Sequence, residues 1–283
     1  GKASLANNTT ASNNVAVGAG ALQLNSTGAH NVAVGCGALT SNTTSGENTA
    51  VGFGALAAQT TGGPNEAFGN QTLCKLTTGC ANVGIGYRAL CDVTTSVDNV
   101  ALGYVALNSV TTGTGGNIGI GCTAGNSVTT GCFNTLIGTN AGTSITTTEG
   151  NTYIGKSSGC NAVSGNNNTA LGINSGVDAV KEITGSDAHN IVIGNNGNTH
   201  AYIKIDWTVT SDLRDKTNIE NVPHGLNFIN QITPIKYDFK TSREDNTPHG
   251  TKKYGFSAQE ILALEGDNPV IIDNHNSENL KLT

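Results

Sequence analysis

The chain has 283 residues, of which 12% are charged, and a formal net charge of −6 at pH 7. This mild charge argues against a nucleic-acid partner, which would require clustered Lys and Arg. No apolar run approaches the ~20 residues that a membrane-spanning helix needs, so we expect no membrane insertion. Residues 1–180 hold 4 Lys/Arg and 6 Asp/Glu, whereas residues 181–283 hold 10 and 14, which predicts two regions of different character.

After a lead-in over 1–13, residues 14–198 carry an internal repeat of the form Asn-x-x-hydrophobic-Gly. Successive anchor asparagines are seventeen positions apart, except that one copy is longer by one position and another by five. A Thr-Thr pair lies twelve and thirteen positions past seven of the anchors. The anchors are Asn14, Asn31, Asn48, Asn65, Asn82, Asn99, Asn117, Asn134, Asn151, Asn168 and Asn190. A unit this short cannot bury its own core, so the copies are expected to stack.

Short Val- and Ile-rich pieces punctuated by Gly favour strands and turns. We therefore predict a mostly β fold, a repetitive β-solenoid or β-prism shaft about 50 Å long at ~4.8 Å per copy. Its Asn amides and Thr hydroxyls are expected to form ladders between copies. The large apolar residue three past each anchor is expected to be covered by the copies above and below it. The residue eight past the anchor changes from Leu in six copies to Gly in four, which predicts a narrowing or repacking of the core.

The pattern "N-x-A-V-G-x-x-A-L" resembles repeats of phage tail fibres and, more loosely, the head repeats of trimeric autotransporter adhesins. This resemblance implies a trimer of parallel β-rolls or an intertwined β-prism. A monomeric β-helix is the alternative reading of the same repeat.

Charged, amphipathic segments follow the repeat. A junction strand is predicted over 199–210 from the alternation in "AYIKIDWTVT". Leu226, Ile229 and Ile232 have helical spacing, and Pro234 ends that segment. "IKYDF" is then predicted to be a strand, "FSAQEILAL" a helix and "NPVIID" a strand, so that residues 211–283 form a small α+β domain.

The motifs "SDLRDKTNI", "TPIKYDF" and "YGFSAQEI", in this order, resemble the endosialidase-type intramolecular chaperone, over Ser211 to about Asp273. That family trimerises, assists folding of the β-helical shaft before it, and then cuts itself off with a Ser-Lys dyad. The resemblance implies that Ser211 is the nucleophile, that Lys216 is the general base, and that Thr210–Ser211 is the peptide bond that is cut.

The chemistry of this dyad sets conditions on its lysine. A serine hydroxyl needs a base to remove its proton, and Lys216 can act as one only when neutral, so burial or a nearby cation such as Arg214 must lower its pKa. Residues five apart on one helix face different sides. Either the segment is not a regular helix, or the dyad is completed across the trimer. Asp215 stands where the family often has Leu and would slow the cut. We also expect the domain to lack the long C-terminal helix of the family.

All seven cysteines lie within the repeat, and none forms a C-x-x-C pair. Cys74 and Cys91 occupy the same position in successive copies and are expected to be stacked neighbours. Free, buried thiols are expected, with a disulfide between these two as the alternative. The seven are Cys36, Cys74, Cys80, Cys91, Cys122, Cys132 and Cys160. No metal site and no cofactor are predicted.

The resulting hypothesis is a structural component of a viral tail fibre, assembled in the host cytoplasm as a homotrimer. Its partners would be other virion tail proteins and a host cell-surface receptor. Single-turnover autoproteolysis is its only expected reaction. One alternative is a cellular trimeric surface adhesin or filament subunit, extracellular, with the same chaperone module. Another is a depolymerase that cleaves polysaccharide between chains.

Overall fold

A computed structural model describes residues 1–178, 181–185, 187–198, 214, 216–217, 225–240, 246–266, 271–273 and 281–282. The chain divides into two compact units, Gly1–Asn195 and Asn196–Thr283. The first unit is built from strands and turns, and the described part of the second combines short helices and strands.

The first unit is a parallel β-solenoid in which eleven short strands form one sheet in chain order. The strands are β1 (Val15–Val17), β2 (Val32–Val34), β3 (Thr49–Val51), β4 (Asn65–Phe68), β5 (Asn82–Ile85), β6 (Val100–Leu102), β7 (Ile118–Ile120), β8 (Thr135–Ile137), β9 (Thr152–Ile154), β10 (Thr169–Leu171) and β11 (Ile191–Ile193). Each strand pairs with the equivalent residues of the next copy, as Val15 does with Val32. The predicted stack of repeat coils is confirmed.

The two longer copies keep the same register. In the copy that runs from Asn99 to Asn117, Val100 pairs with Ile118, and in the copy that starts at Asn168, Thr169 pairs with Ile191. The sheet therefore continues without interruption across both copies.

Residues 1–13 also join the hydrogen-bonding pattern of the solenoid. The backbone N–H of Leu5 donates to the carbonyl of Ala21 at 3.1 Å, and that of Asn7 donates to Gln23 at the same distance. The coil therefore extends upstream of the first anchor asparagine.

The anchor asparagines form a buried ladder along the solenoid. The side-chain oxygen of Asn117 accepts from both the backbone N–H and the side-chain amide of Asn134, each at 3.1 Å. The Asn117 amide donates to Asn99 Oδ1 and to the Gly131 carbonyl, at 3.1 and 2.9 Å. Each anchor thus supplies bonds to polar groups that would otherwise be unpaired in the core. The predicted Asn ladder is confirmed.

A second ladder involves the hydroxyl of the threonine twelve residues past the anchor. Thr43 Oγ1 donates to the Thr60 carbonyl at 3.1 Å, and Thr60 Oγ1 donates to the Thr77 carbonyl at 3.2 Å. The hydroxyls therefore bind backbone oxygens of the next copy rather than one another.

The large apolar residue three past the anchor points outward, contrary to the expectation from the sequence. Val17 is 57% exposed and Ile193 62% exposed, whereas the middle strand residues Ala33 and Ala50 are buried. The physical reason is the two-residue period of a strand. The anchor asparagine faces inward, so the residue two past it also faces inward, and the residues one and three past it face outward.

The switch from Leu to Gly eight residues past the anchor is a repacking of the core. The later copies place Leu136 and Tyr153 at the inward strand position, where earlier copies have Ala or Gly. A Cβ on Gly125 would lie 2.5 Å from Leu136 Cδ1, and one on Gly159 would lie 2.6 Å from the Tyr153 ring. A large strand side chain thus occupies the space beside Gly125, Gly142 and Gly159, and Ile183, which lies outside the strands, occupies it beside Gly176.

The glycine after each strand is required by the close approach of successive coils. Gly35 has φ of +140°, and a Cβ there would lie 2.3 Å from the Gly52 carbonyl oxygen. No side chain fits at that distance, which explains why Gly follows the apolar residue of the repeat.

The second unit contains α1 (Leu226–Ile229), β12 (Ile235–Lys240), β13 (Pro248–Gly255), α2 (Ala258–Glu265), β14 (Ile272–Asp273) and β15 (Lys281–Leu282). The strands β12 and β13 pair antiparallel, as do β14 and β15. Ser257 caps α2, since its side chain accepts from the Glu260 N–H at 3.3 Å. Phe228 and Ile261 are buried in a small apolar cluster.

The elements predicted for this unit are found where the structure describes it. The helices around Leu226 and in "FSAQEILAL", and the strands "IKYDF" and "NPVIID", are confirmed, the last as the two residues of β14. The strand β13, which the sequence pattern did not indicate, completes a hairpin with β12. The junction strand predicted over 199–210 lies outside the described residues.

Candidate functional site

The predicted cleavage site falls mostly outside the part of the chain that the structure describes. Thr210, Ser211 and Asp215 belong to this undescribed part. Arg214 and Lys216 are described, and both are exposed to solvent. The role of the dyad stays a prediction.

The second unit exposes several large apolar side chains near its helices and hairpin. Leu226 is 74% exposed and Tyr254 78% exposed, and Ile229, Phe239 and Phe256 are also exposed. Lys236 Nζ lies 5.6 Å from the centre of the Tyr254 ring.

An outward apolar face runs along the solenoid, and we define it by the residues one and three past each anchor. These positions hold 17 apolar residues, four Thr and one carboxylate, Glu66. Exposed members include Val17, Phe68, Leu102 and Ile193. The face follows all eleven strands of the sheet, so its length is about 50 Å.

Aromatic residues five past the anchor are exposed beside this face. Tyr87 and Tyr104 stack on each other from successive copies, with ring centres 5.3 Å apart and an interplanar angle of 14°. Phe53, at the same repeat position, is also exposed. The signal for these exposed aromatics in the sequence is their shared position, five past Asn48, Asn82 and Asn99.

Two thiols meet on another side of the solenoid. Cys74 Sγ lies 2.6 Å from Cys91 Sγ, as the shared repeat position predicts. Hydrogen bonding to Cys74, aided by the neighbouring Arg88 and opposed by burial, lowers the pKa of Cys91 to about 6. The hydrogen bond with Cys91, together with burial, raises the pKa of Cys74.

The expectation of buried thiols is wrong for most of the cysteines. Cys91 is buried, Cys36 and Cys122 are exposed, and Cys74, Cys80, Cys132 and Cys160 are partly buried. Six of the seven side chains point at least partly outward, because the inward positions of the repeat are taken by Ala, Leu and Asn.

Within the described residues, no group of three or more His, Cys, Asp or Glu side chains is arranged to hold a metal ion. No helix among them is both long enough and apolar enough to cross a membrane.

One protein-family model matches a segment of this chain. Residues 211–268 match the family Peptidase_S74, described as chaperone of endosialidase. The match begins at Ser211 and covers about a fifth of the chain, so it characterises this segment and not the solenoid. Neither a search of curated proteins nor a search of solved structures found a match.

Proposed function

We propose that this chain is a trimeric fibre shaft of a viral tail, which folds under the guidance of its C-terminal chaperone segment and is then cut before Ser211. The observation that carries the proposal is the succession of two features, a parallel β-solenoid and a segment that matches the endosialidase chaperone family. A chaperone fused to a repetitive shaft solves a folding problem that the shaft itself creates.

The problem is the near-equivalence of the copies. Identical repeats can pair out of register at little energetic cost, and winding several chains together closes long loops before contacts repay that cost. A segment that trimerises first aligns the three shafts and raises their local concentration. Once this segment is removed, the shaft cannot unfold by the reverse of the path along which it folded, so it gains kinetic stability.

The outward apolar face supports association of the shafts. Single soluble chains rarely expose continuous apolar surfaces of this length, and charged side chains are almost absent from it, with Glu66 as the exception among the strand positions. A second and a third copy would cover the face and remove it from water. The number three comes from the family resemblance.

We propose that cleavage occurs across the trimer, with a neighbouring copy covering Lys216. A neutral lysine requires desolvation or a nearby cation, and its own chain leaves Lys216 in solvent. A neighbouring copy would exclude water from it, with Arg214 adding positive charge. Lys216 would then take the proton of Ser211 as the hydroxyl attacks the Thr210 carbonyl.

The first test replaces Ser211 with Ala and Lys216 with Ala in separate variants. We expect each to give an uncut chain on a denaturing gel, while native mass measurement still finds a trimer. Lys240→Ala, an exposed lysine of the same unit, is the matched control and should be cut normally. Cutting before residue 211 in the Ser211→Ala chain would refute the dyad.

In this proposal the shaft reaches toward a host cell-surface receptor, is joined to other virion tail proteins, and is assembled in the host cytoplasm. The exposed aromatic column of Phe53, Tyr87 and Tyr104 is available for contacts of this kind. Loss of host-cell binding by the purified trimer after Tyr87→Ala and Tyr104→Ala, with the trimer intact, would support receptor contact there.

A further inference from the structure

Two cysteines in successive coils are held in a geometry that suits a covalent bond. Cys74 and Cys91 stand nine residues past Asn65 and Asn82, and their sulfur atoms are 2.6 Å apart. The backbone N–H of Lys75 donates to the Cys91 carbonyl at 3.2 Å, which holds the two turns together beside the thiols. The spacing of about 4.8 Å between coils lies within the range of Cα separations that disulfides span.

We propose that Cys74 and Cys91 are a reversible oxidation site, which closes to a disulfide between two coils when the protein meets a low-molecular-weight disulfide. This inference rests on the geometry of the solenoid and is independent of the proposed viral function.

Among the seven cysteines, all of which lie in described residues, no other pair is placed in this way. Cys36 and Cys122 share a repeat position, as do Cys80 and Cys132, but in each case several copies separate them. Cys160 has the same repeat position as the pair and has no cysteine in the copy before or after it. The oxidation site is therefore specific to the coils that begin at Asn65 and Asn82.

The charged groups around the pair favour a reactive sulfur. The Arg88 guanidinium lies beside Cys91. Lys75 and Asp92, which directly follow Cys74 and Cys91 in the chain, form an ion pair in which Lys75 Nζ is 2.7 Å from Asp92 Oδ1. With the pKa of Cys91 at about 6, the pair carries one negative charge at neutral pH. A thiolate is the species that reacts with disulfides.

Access decides which sulfur reacts first. Cys74 is partly exposed, whereas Cys91 is buried. The Cys74 sulfur attacks the external disulfide RSSR and passes its proton to the Cys91 thiolate, and RS⁻ leaves. The Cys91 sulfur then attacks Cys74 in the mixed disulfide, its proton goes with the second departing RS group as RSH, and the intramolecular bond forms. The two cysteines lose two electrons, and RSSR gains them.

The experiment treats the purified chain with oxidised glutathione at pH 7.5, quenches with acid and maps peptides without reduction. We expect a peptide that joins Cys74 to Cys91, while Cys160 in the same sample gives only a glutathione adduct. Cys160 is a matched control that needs no mutation. In the Cys91→Ser chain, Cys74 should keep its glutathione adduct.

The pH dependence gives a second readout. The rate of cross-link formation should be level above the pKa of Cys91, near 6, and fall about tenfold per pH unit below it. The reason is that the reaction requires the form of the cysteine pair that carries one thiolate. Arg88→Gln should shift this midpoint to higher pH, since it removes the cation beside the thiolate. The proposal is overturned if the unmodified chain keeps a glutathione adduct on Cys74. It is also overturned if no peptide links Cys74 to Cys91 while Cys160 reacts with glutathione.

Discussion

At the scale of single residues, the core of the solenoid depends on the sizes of the side chains two and eight residues past each anchor. In the first six copies the inward strand residue is Ala or Gly and the residue eight past the anchor is Leu, whereas Leu136 and Tyr153 stand in copies whose residue at that position is Gly. In these two copies a large strand side chain thus takes the space that the leucines fill in the earlier ones. Close packing of protein interiors makes such compensation necessary.

Gly159→Leu tests this pairing. The equivalent leucines adopt φ near +50°, as Leu22 does, so the backbone tolerates Leu and the Tyr153 ring is the obstacle. We expect the free energy of unfolding to fall by about 1–3 kcal/mol, the usual cost of overpacking. Thermal and denaturant unfolding would measure it.

The double variant Tyr153→Ala with Gly159→Leu is the control, because it restores the Ala and Leu combination of the early copies. It should recover part of the lost stability. A double variant no more stable than the Gly159→Leu chain would mean that the two positions are not coupled.

The sequence revealed the change from Leu to Gly but not the direction in which the side chains point. The large apolar residue three past the anchor is the most regular hydrophobic signal of the repeat, and regularity alone predicts that neighbouring copies cover it. The true interior residue of the early strands is Ala, which is too small and too common to stand out. Alternation from the buried anchor asparagine would have assigned both positions correctly.

At the scale of elements, the coils are joined by polar ladders inside the molecule. Most anchor asparagines bind the next Asn, as Asn117 binds Asn134, whereas Gln59 Nε2 donates to Asn48 Oδ1 in place of an Asn65 amide. The sequence predicted this ladder because amides that recur at a fixed spacing can bond to their equivalents in the next copy. It also predicted α2 and β12 of the second unit, where local patterns are strong, but not β13, whose Pro248–Gly255 sequence is polar.

Asn117→Ala tests the ladder. Asn134 would lose the acceptor of its backbone N–H and one acceptor of its side-chain amide, both buried. Each unpaired buried group costs about 1–3 kcal/mol, so we expect the solenoid to be destabilised by about 2–4 kcal/mol in unfolding experiments. Asn161→Ala, which removes an exposed hydrogen bond to Glu182, should have an effect below about 1 kcal/mol. Equal effects of the two variants would contradict a structural role for the ladder.

At the scale of the whole molecule, the apolar residues on the outside of the solenoid are the feature that a single chain does not explain. Because the coil is repeated eleven times, the apolar residues three past each anchor line up into one continuous face. Register between copies and the position of this face follow from one chain, but the number of chains that share it does not. For that reason the trimer is a proposal that depends on the family resemblance.

Leu102→Lys tests association through this face. Leu102 is 46% exposed, so a lysine there should leave a single solenoid folded, whereas in a trimer it would bury an unpaired charge in each chain. We expect the native mass to drop to that of one subunit while the circular dichroism of the strands is retained. Thr95→Lys, at an exposed position thirteen past the anchor, is the control and should stay trimeric. A trimeric Leu102→Lys protein of unchanged stability would rule out the face as the interface.

The two longer copies of the repeat have a practical consequence. The sheet keeps its pairing across both. In the first of them the additional residue lies between Thr111 and Gly116, and this turn is a natural insertion point, at which a foreign peptide could be grafted. Since every chain of an assembly would carry the graft at the same height, such a shaft would display it as a ring at a chosen distance from either end.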